Sequence, residues 1–173
     1  MESRTNFDLG LYNACFNGHK ELILLMLEIG ASDMKDALFY ACSGGQKETV
    51  SFILNENESK NLGFNKEDFE KGLRGACRGG FKDLALVMIK KGANDWESAF
   101  YGSCSYGNPE FSLWNFQQGI KLKNFNKEDL DNGLDIACKN KNKDLALLLI
   151  DQGKHFKFLS DENINLFNNT FGQ

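Results

Sequence analysis

The sequence has little proline, histidine or tryptophan, with one Pro, two His and two Trp among 173 residues. A single proline argues against folds built from many Pro-containing turns or long linkers. The longest purely apolar run, residues 22–27, is far shorter than the ~20 residues of a membrane-spanning helix. The first eight residues form no apolar signal segment. These absences predict an intracellular protein that is not associated with a membrane.

Neither sign of charge dominates the chain. The formal net charge is −4, a quarter of the residues are charged, and 42% are apolar. This composition is typical of a globular chain and argues against a disordered tail or a polybasic nucleic-acid binder. The length is sufficient to bury a single core.

The cysteines are regularly spaced. The five residues are Cys15, Cys42, Cys77, Cys104 and Cys138. An odd number with no close pair argues against a disulfide framework and against a zinc site. The gaps of 27, 35, 27 and 34 residues give a two-repeat period of 61 or 62. Four cysteines follow alanine and Cys104 follows Ser103, which predicts buried, reduced thiols where helices approach closely.

Aligning the chain on its cysteines gives five repeats, each a short helix, a Gly-containing turn and a second helix. Apolar residues at i, i+1, i+4 and i+5 predict one buried face on each second helix. In repeats one and three these residues are Leu22, Ile23, Met26 and Leu27, and Leu84, Ala85, Met88 and Ile89. Thr49 and Asn115 are polar substitutes in repeats two and four, and Pro109 begins the fourth second helix. Gly30, Gly92 and Gly119 are predicted C-caps.

The connections between repeats alternate in length. Repeats one and three are followed by short connections, whereas those after repeats two and four are longer and carry Phe-Asn-Lys-Glu-Asp. Asn65 and Asn126 are predicted N-caps, and Phe64 and Phe125 are predicted to staple the helix starts. The first helices of repeats three and five should therefore be about one turn longer.

The repeats resemble ankyrin repeats. In that family a helix with paired small residues is followed by a Gly-His turn and then by an apolar second helix that ends in Gly-Ala. The matching segments in repeat one are Ala14-Cys15, Gly18-His19 and Gly30-Ala31. Repeat three is similar to the divergent ankyrin-like proteins of large DNA viruses. The Thr-Pro-Leu-His opening is absent, and the shorter repeats fall below the family period of ~33 residues. Tight turns are therefore expected in place of hairpin fingers after repeats one and three.

The expected fold is an all-α, ankyrin-like solenoid that forms a single domain over residues 1–173. Its repeats are predicted at residues 8–33, 34–63, 64–95, 96–124 and 125–155. The N-terminal residues and residues 156–173 should cap the stack, with a last short helix at residues 161–167.

No catalytic residue, cofactor or metal site is predicted. Glycine-rich phosphate-binding loops are absent. A thiol–imidazole pair at Cys15 and His19 is disfavoured because Gly18 interrupts the helix between them. The resemblance instead implies that His19 bridges loop backbones. The chain is therefore expected not to be an enzyme.

The resemblance implies that the residues after each small pair face a concave groove that binds a partner protein. The predicted contact residues are Phe16, Asn17, Ser43, Arg74, Arg78, Ser105, Tyr106, Lys139 and Asn140. Arg74 and Arg78, with Lys71 and Lys82 nearby, are either an ordinary solvated helix face or a site for an acidic or phosphorylated segment. Nucleic acid is not an expected partner because the chain has no continuous basic stripe.

The resemblance implies a virus-encoded interaction module that engages a host factor in the cytoplasm or nucleus. The alternative is an assembly protein that self-associates through the atypical fourth repeat, where Trp114 and Phe116 lie. Trp96 is expected to cover the joint between repeats.

Overall fold

All regular secondary structure in residues 2–122 and 125–172, which the computed structural model describes, is α-helical. The eleven helices found there are α1 Glu2–Asn17, α2 Lys20–Glu28, α3 Met34–Ser43, α4 Lys47–Lys60, α5 Lys66–Gly79, α6 Lys82–Lys90, α7 Trp96–Ser105, α8 Pro109–Lys121, α9 Lys127–Lys139, α10 Lys143–Phe156 and α11 Asp161–Phe171. The predicted all-α class is confirmed. The first ten helices form five pairs, and α11 begins at the residue predicted for the last short helix.

The first helix of each pair ends in one shared turn. The backbone N–H of the residue before each second helix donates to the carbonyl of the small residue five positions earlier, over 2.9 to 3.4 Å. The residue just before that donor has a positive φ in all five turns. This is the Schellman geometry, which favours glycine. The donors are His19, Gln46, Phe81, Asn108 and Asn142, and the positive-φ residues are Gly18, Gly45, Gly80, Gly107 and Lys141.

Capping residues set the lengths of the first helices. Asn65 and Asn126 each form a capping box with an aspartate three residues later. As predicted, α5 and α9 are longer, with 14 and 13 residues against 10 in α3 and in α7. Phe64 staples the start of α5, because its ring lies 6.2 Å from that of Phe69.

Asp33 and Asp95 cap α3 and α7, although they were not predicted to do so. The Asp33 carboxylate accepts the N–H of Asp36, and Asp95 accepts that of Ser98. The sequence did contain a signal for these caps. In both places an Asp precedes an apolar stretch and is followed three residues later by a polar residue. The predicted alternation in connection length is wrong, because five residues separate each second helix from the next first helix in all four places. The extra length lies in the second helices, since α4 and α8 have 14 and 13 residues against 9 in α2 and α6.

Glycine lets helices within a pair approach closely. A methyl group at Gly10 would lie 2.6 Å from the sulfur of Met26, and one at Gly72 would lie 2.5 Å from the sulfur of Met88. Gly133 occupies the matching position in α9, where Phe100 fills the space instead. A larger residue at these sites would require the neighbouring methionine or phenylalanine side chain to move.

The helices form two compact units, Met1–Asn94 and Asp95–Gln173. In the N-terminal unit α3 packs between α1 and α5, and α2, α4 and α6 each pack on the preceding first helix. Its first helices are also joined by polar contacts. The Tyr12 and Tyr40 rings stack with centroids 4.8 Å apart, and the Tyr12 hydroxyl donates to Asp33 over 2.6 Å.

In the C-terminal unit α9 packs between α7 and α11, and α8 packs on α7 and α10. An aromatic cluster of Phe100, Phe116 and Phe125 fills its core, with ring centroids 5.3 to 5.8 Å apart. Phe125 is thus a core residue of this unit as well as the residue before the α9 cap.

Two expectations about the second helices are wrong. Gly119 is not a C-cap, because α8 continues to Lys121 and the Phe125 ring fills the space that a side chain at Gly119 would need. In α2 only Ile23 of the predicted apolar face is buried. Gly30 and Gly92, in contrast, have positive φ and end α2 and α6 as predicted. Along the part of the chain that the structure covers, no helix combines the length and apolarity that crossing a membrane requires.

A buried polar pair distinguishes the fourth helix pair from the others. Asn115 Nδ2 donates to Ser103 Oγ over 3.1 Å, and both residues are fully buried. Ser103 stands where the other first helices carry alanine, and Asn115 stands where α2 and α6 carry Met26 and Met88. The two polar residues therefore compensate each other in an otherwise apolar interface.

We expect Lys141→Gly to raise the free energy of unfolding by about 0.5–1 kcal/mol. Lys141 is the one non-glycine residue at the positive-φ position of the five shared turns. A left-handed conformation costs an L-residue about 1–2 kcal/mol. Removing this cost is partly offset by the greater freedom of glycine in the unfolded chain. Urea denaturation measures the change. Lys139→Gly, within α9, should destabilise instead, and equal effects of the two substitutions would contradict the explanation.

We expect Ser103→Ala to destabilise the protein by about 1–2 kcal/mol, because it removes an acceptor from a buried amide. The double variant Ser103→Ala/Asn115→Leu should recover most of this loss, since it replaces both partners with apolar groups of similar size. A double-mutant cycle in urea measures the coupling. Strictly additive effects would show that the two residues are not coupled.

Candidate interaction surface

Except for Arg74, which lies five residues before the end of α5, the predicted contact residues lie at the C-terminal ends of the first helices, within or just before the shared turn. Because the turn has the same hydrogen bonds in every pair, it presents the last residues of each first helix in the same way. The N-terminal unit contributes Phe16, Asn17, Ser43, Arg74 and Arg78, and the C-terminal unit contributes Ser105, Tyr106, Lys139 and Asn140.

In the N-terminal unit, the ends of α1 and α3 are held side by side. The Gln46 side-chain amide donates to the carbonyls of Phe16 over 3.1 Å and of Gly44 over 3.0 Å. Gly44 has no room for a side chain, because a methyl group there would collide with the Phe16 carbonyl. Gln46 was not predicted to matter. It comes directly after Gly45, the positive-φ residue of its turn. This position in the sequence was the signal that could have identified it.

Phe16 and Asn17, two of the predicted contact residues, are exposed at this edge. The Phe16 side chain is 44% exposed although it is large and apolar. Asn17 is exposed, and its amide donates to the Asn13 carbonyl over 2.8 Å. An exposed aromatic ring beside a polar amide is a combination that protein interfaces commonly use.

Ser43 does not belong to the contact surface, contrary to the prediction. It is only 7% exposed, because α5 approaches α3 closely through its glycines. A methyl group at Gly75 would lie 3.0 Å from Ser43 Oγ. Ser43 is therefore covered by α5, and a partner cannot reach it.

The basic cluster on α5 is divided between a structural and an exposed part. Lys71 bonds to Asp36 at 2.9 Å, and this hydrogen bond raises the pKa of its ammonium group. Arg74 is half-buried, whereas Arg78 and Lys82 are exposed. Lys71 thus ties α5 to α3, and Arg78 is the arginine of the cluster that is most open to solvent.

The ends of α7 and α9 are joined in the C-terminal unit. The Asn140 side chain donates to the Ser105 carbonyl over 3.1 Å, and Ser105 Oγ donates to the Tyr101 carbonyl over 2.8 Å. Tyr106 projects next to them and is 55% exposed. Lys139 pairs with Asp135 at 2.6 Å one turn earlier on α9. These four predicted residues form an exposed edge of mostly uncharged polar groups.

The possible nucleophiles have no suitable environment. Burial raises the pKa of Cys15, Cys42 and Cys104 to about 12, which keeps these thiols protonated at neutral pH. All five cysteines are buried and unbridged, as the repeat pattern predicted. His19 is exposed and makes no capping hydrogen bond through its side chain. Its backbone N–H closes the turn by donating to the Ala14 carbonyl over 3.0 Å.

The aromatic residues of the fourth repeat are mainly packing elements. Phe116 is fully buried, which contradicts its proposed role in contacting a second copy. Trp114 is half-buried, and its ring lies 5.8 Å from Trp96 and 5.1 Å from Phe111. Trp96 is itself buried against this cluster within the C-terminal unit.

Within residues 2–122 and 125–172, no three His, Cys, Asp or Glu side chains come together as a possible metal site. No protein-family model matches the chain. No curated protein matches it either. The candidate surface is therefore defined by the two exposed edges alone.

We expect the free energy of unfolding to fall between pH 8 and pH 9.5. The buried thiols stay protonated in the folded chain, whereas thiols of the unfolded chain ionise near pH 8.5. The contribution of these thiols to the free energy of unfolding is therefore fully present below that pH. Above it, the free energy of unfolding falls by at most about 1.4 kcal/mol per thiol per pH unit. Urea denaturation with reductant present measures it. Cys42→Ala should flatten this dependence, and an unchanged slope in that variant would contradict the assignment.

Proposed function

We propose that the protein is a non-enzymatic interaction module built from ankyrin-like helix pairs. A partner protein binds at the C-terminal ends of the first helices. The observation that carries the proposal is the exposed edge of the N-terminal unit, where Phe16, Asn17 and Arg78 follow the small residues of their helices and precede a shared, rigid turn.

Rigidity supports binding at this edge. Backbone and amide contacts between the ends of α1 and α3 fix their spacing before any partner arrives, so little conformational entropy is lost on binding. Arg78 suits an acidic or phosphorylated segment, because a guanidinium binds two oxygens of one carboxylate or phosphate at once. The edge in the C-terminal unit, with Tyr106 and Asn140, is a second contact surface.

The resemblance to ankyrin-like proteins of large DNA viruses extends the proposal to the partner. We propose a virus-encoded protein that binds a host protein inside the cell and involves no nucleic acid. The paired small residues, the Gly-His turn of the first pair and the Gly-Ala ends of α2 and α6 carry this resemblance. Self-association through the fourth repeat remains the alternative. Of the two aromatic residues predicted for that contact, Trp114 is half-buried and could reach a second copy, whereas Phe116 is enclosed in the core.

Charge reversal at Arg78 tests the binding edge. We expect Arg78→Glu to weaken capture of partner proteins from host-cell lysate at least tenfold, and Arg74→Glu/Arg78→Glu to weaken it further. The captured partner is then titrated against the full-length protein by calorimetry.

Lys90→Glu is the matched control, because it makes the same charge change at an exposed position of α6 in the same unit. It should leave binding unchanged. Equal affinity of the wild type and Arg78→Glu for every captured protein would refute the proposed role of Arg78. A concentration series in light scattering that shows dimers lost in Trp114→Ala would favour the assembly alternative.

A further inference from the structure

Helix α2 carries a concentration of exposed apolar side chains. Leu22, Leu24, Leu25 and Ile29 are each between 38% and 48% exposed. They account for four of the eleven large apolar side chains that are exposed among the described residues. Large apolar groups scattered singly on a surface need no explanation, but a cluster on one helix marks a binding site or another contact.

Three of these residues form a single stripe. Leu22, Leu25 and Ile29 follow the i, i+3, i+7 spacing, which places them on one side of a helix with 3.6 residues per turn. The buried Ile23 lies about 130° from the centre of this stripe around the helix axis. The stripe is therefore a second apolar face in addition to the one that α2 uses for packing.

A groove of about 470 Å³ lies between α2 and α4, on the opposite side of α2 from the stripe, and none of the three stripe residues lines it. Leu24 lines it together with Phe52 and Ile23, and Lys20 and Lys47 lie at its end. Leu24 is about 100° from Leu25 and about 160° from Leu22 around the helix axis, so the groove is not part of the stripe. The stripe suits a partner helix that lays its own apolar side against it.

The charges beside the stripe are acidic. Glu21 and Glu28 are both exposed and lie four and three residues from Leu25, which places them within about 60° of it around the helix axis. Lys20 is five residues from Leu25 and faces the groove, roughly 140° away. Lys47 is bonded to Asp83 at 2.6 Å. The edge of the stripe is thus negatively charged.

This pattern favours one occupant over two others. In a second copy with antiparallel α2 helices, Glu21 of one chain would lie near Glu28 of the other, so like charges would meet along the contact. An anionic membrane surface would be repelled by the same carboxylates. A helix with basic residues beside its apolar side would instead pair with them.

We propose that the stripe of Leu22, Leu25 and Ile29 is a docking site for a basic amphipathic helix of a partner protein. The site is separate from the Arg78 edge, and it does not depend on the function proposed for that edge. The aliphatic side chains bury the apolar side of the incoming helix, while Glu21 and Glu28 select its lysines or arginines.

Fluorescence anisotropy with synthetic helical peptides and the full-length protein tests the proposal. One 18-residue peptide carries leucines at i, i+3, i+4 and i+7 with lysines beside them, and its partner has glutamates in place of the lysines. We expect the lysine peptide to bind at least tenfold more tightly. Leu22→Ser/Leu25→Ser should weaken its binding at least tenfold, and Glu21→Lys/Glu28→Lys should shift the preference toward the glutamate peptide.

Leu86→Ser and Leu147→Ser are matched controls, because these leucines of α6 and α10 are 40% and 47% exposed without a neighbouring stripe. They should leave peptide binding unchanged, as should Arg78→Glu. Unaltered urea midpoints establish that each variant is folded. Equal binding of the two peptides, or equal losses in the control variants, would overturn the proposal.

Two further results would assign the stripe to a different occupant and so refute the proposal. One is a dimer in light scattering that Leu22→Ser/Leu25→Ser abolishes. The other is sedimentation with phosphatidylserine vesicles that the same variant prevents. Absence of both, together with selective binding of the lysine peptide, is the expected outcome.

Discussion

One backbone hydrogen bond, repeated five times, organises this protein. It runs from the residue before each second helix to the carbonyl of the small residue in the first. It requires a left-handed residue next to the donor, and it reverses the chain within two or three residues. The small residue must also stay small for the second helix to pack close to the first. The turn therefore fixes the geometry of each hairpin before any contact between hairpins is made.

The double period of the cysteine spacing follows from the lengths of the helices, because five residues separate each second helix from the next first helix. The second helices α4 and α8 have 14 and 13 residues, against 9 in α2 and α6. The first helices that follow them begin at the Asn65 and Asn126 capping boxes and are also longer than α3 and α7. Both differences lengthen every second interval between cysteines.

The sequence was sufficient to predict features that depend on local interactions. The helices, the Asn caps and the burial of the cysteines depend on periodicity, on capping and on small-residue spacing, all of which are visible in one segment. Gly119 was assigned wrongly because the aromatic side chain that fills its space, Phe125, comes from the next connection. Burial of Ser43 likewise depends on glycines in a neighbouring helix.

The exposure of α2 could not be inferred for a related reason. Its apolar residues have the same pattern as those of α6, but a pattern indicates which side of a helix can be buried and not whether a neighbour covers it. In α6 the matching residues Leu84, Ala85 and Met88 are buried, whereas in α2 only Ile23 is. The sequence was enough to locate the candidate contact edge at the C-terminal ends of the first helices. Which of its side chains reach solvent was decided by tertiary packing.

The Asn115–Ser103 pair bears on how a repetitive chain finds its correct pairing. Helices built to one pattern can exchange partners during folding, and such mispairing is a characteristic error of repeat proteins. If α8 packed on any other first helix, Asn115 would meet alanine in place of Ser103 and lose a hydrogen bond in a dry interior. In addition to the short turn that already joins α7 to α8, the pair adds the loss of one buried hydrogen bond to the cost of packing α8 on another first helix.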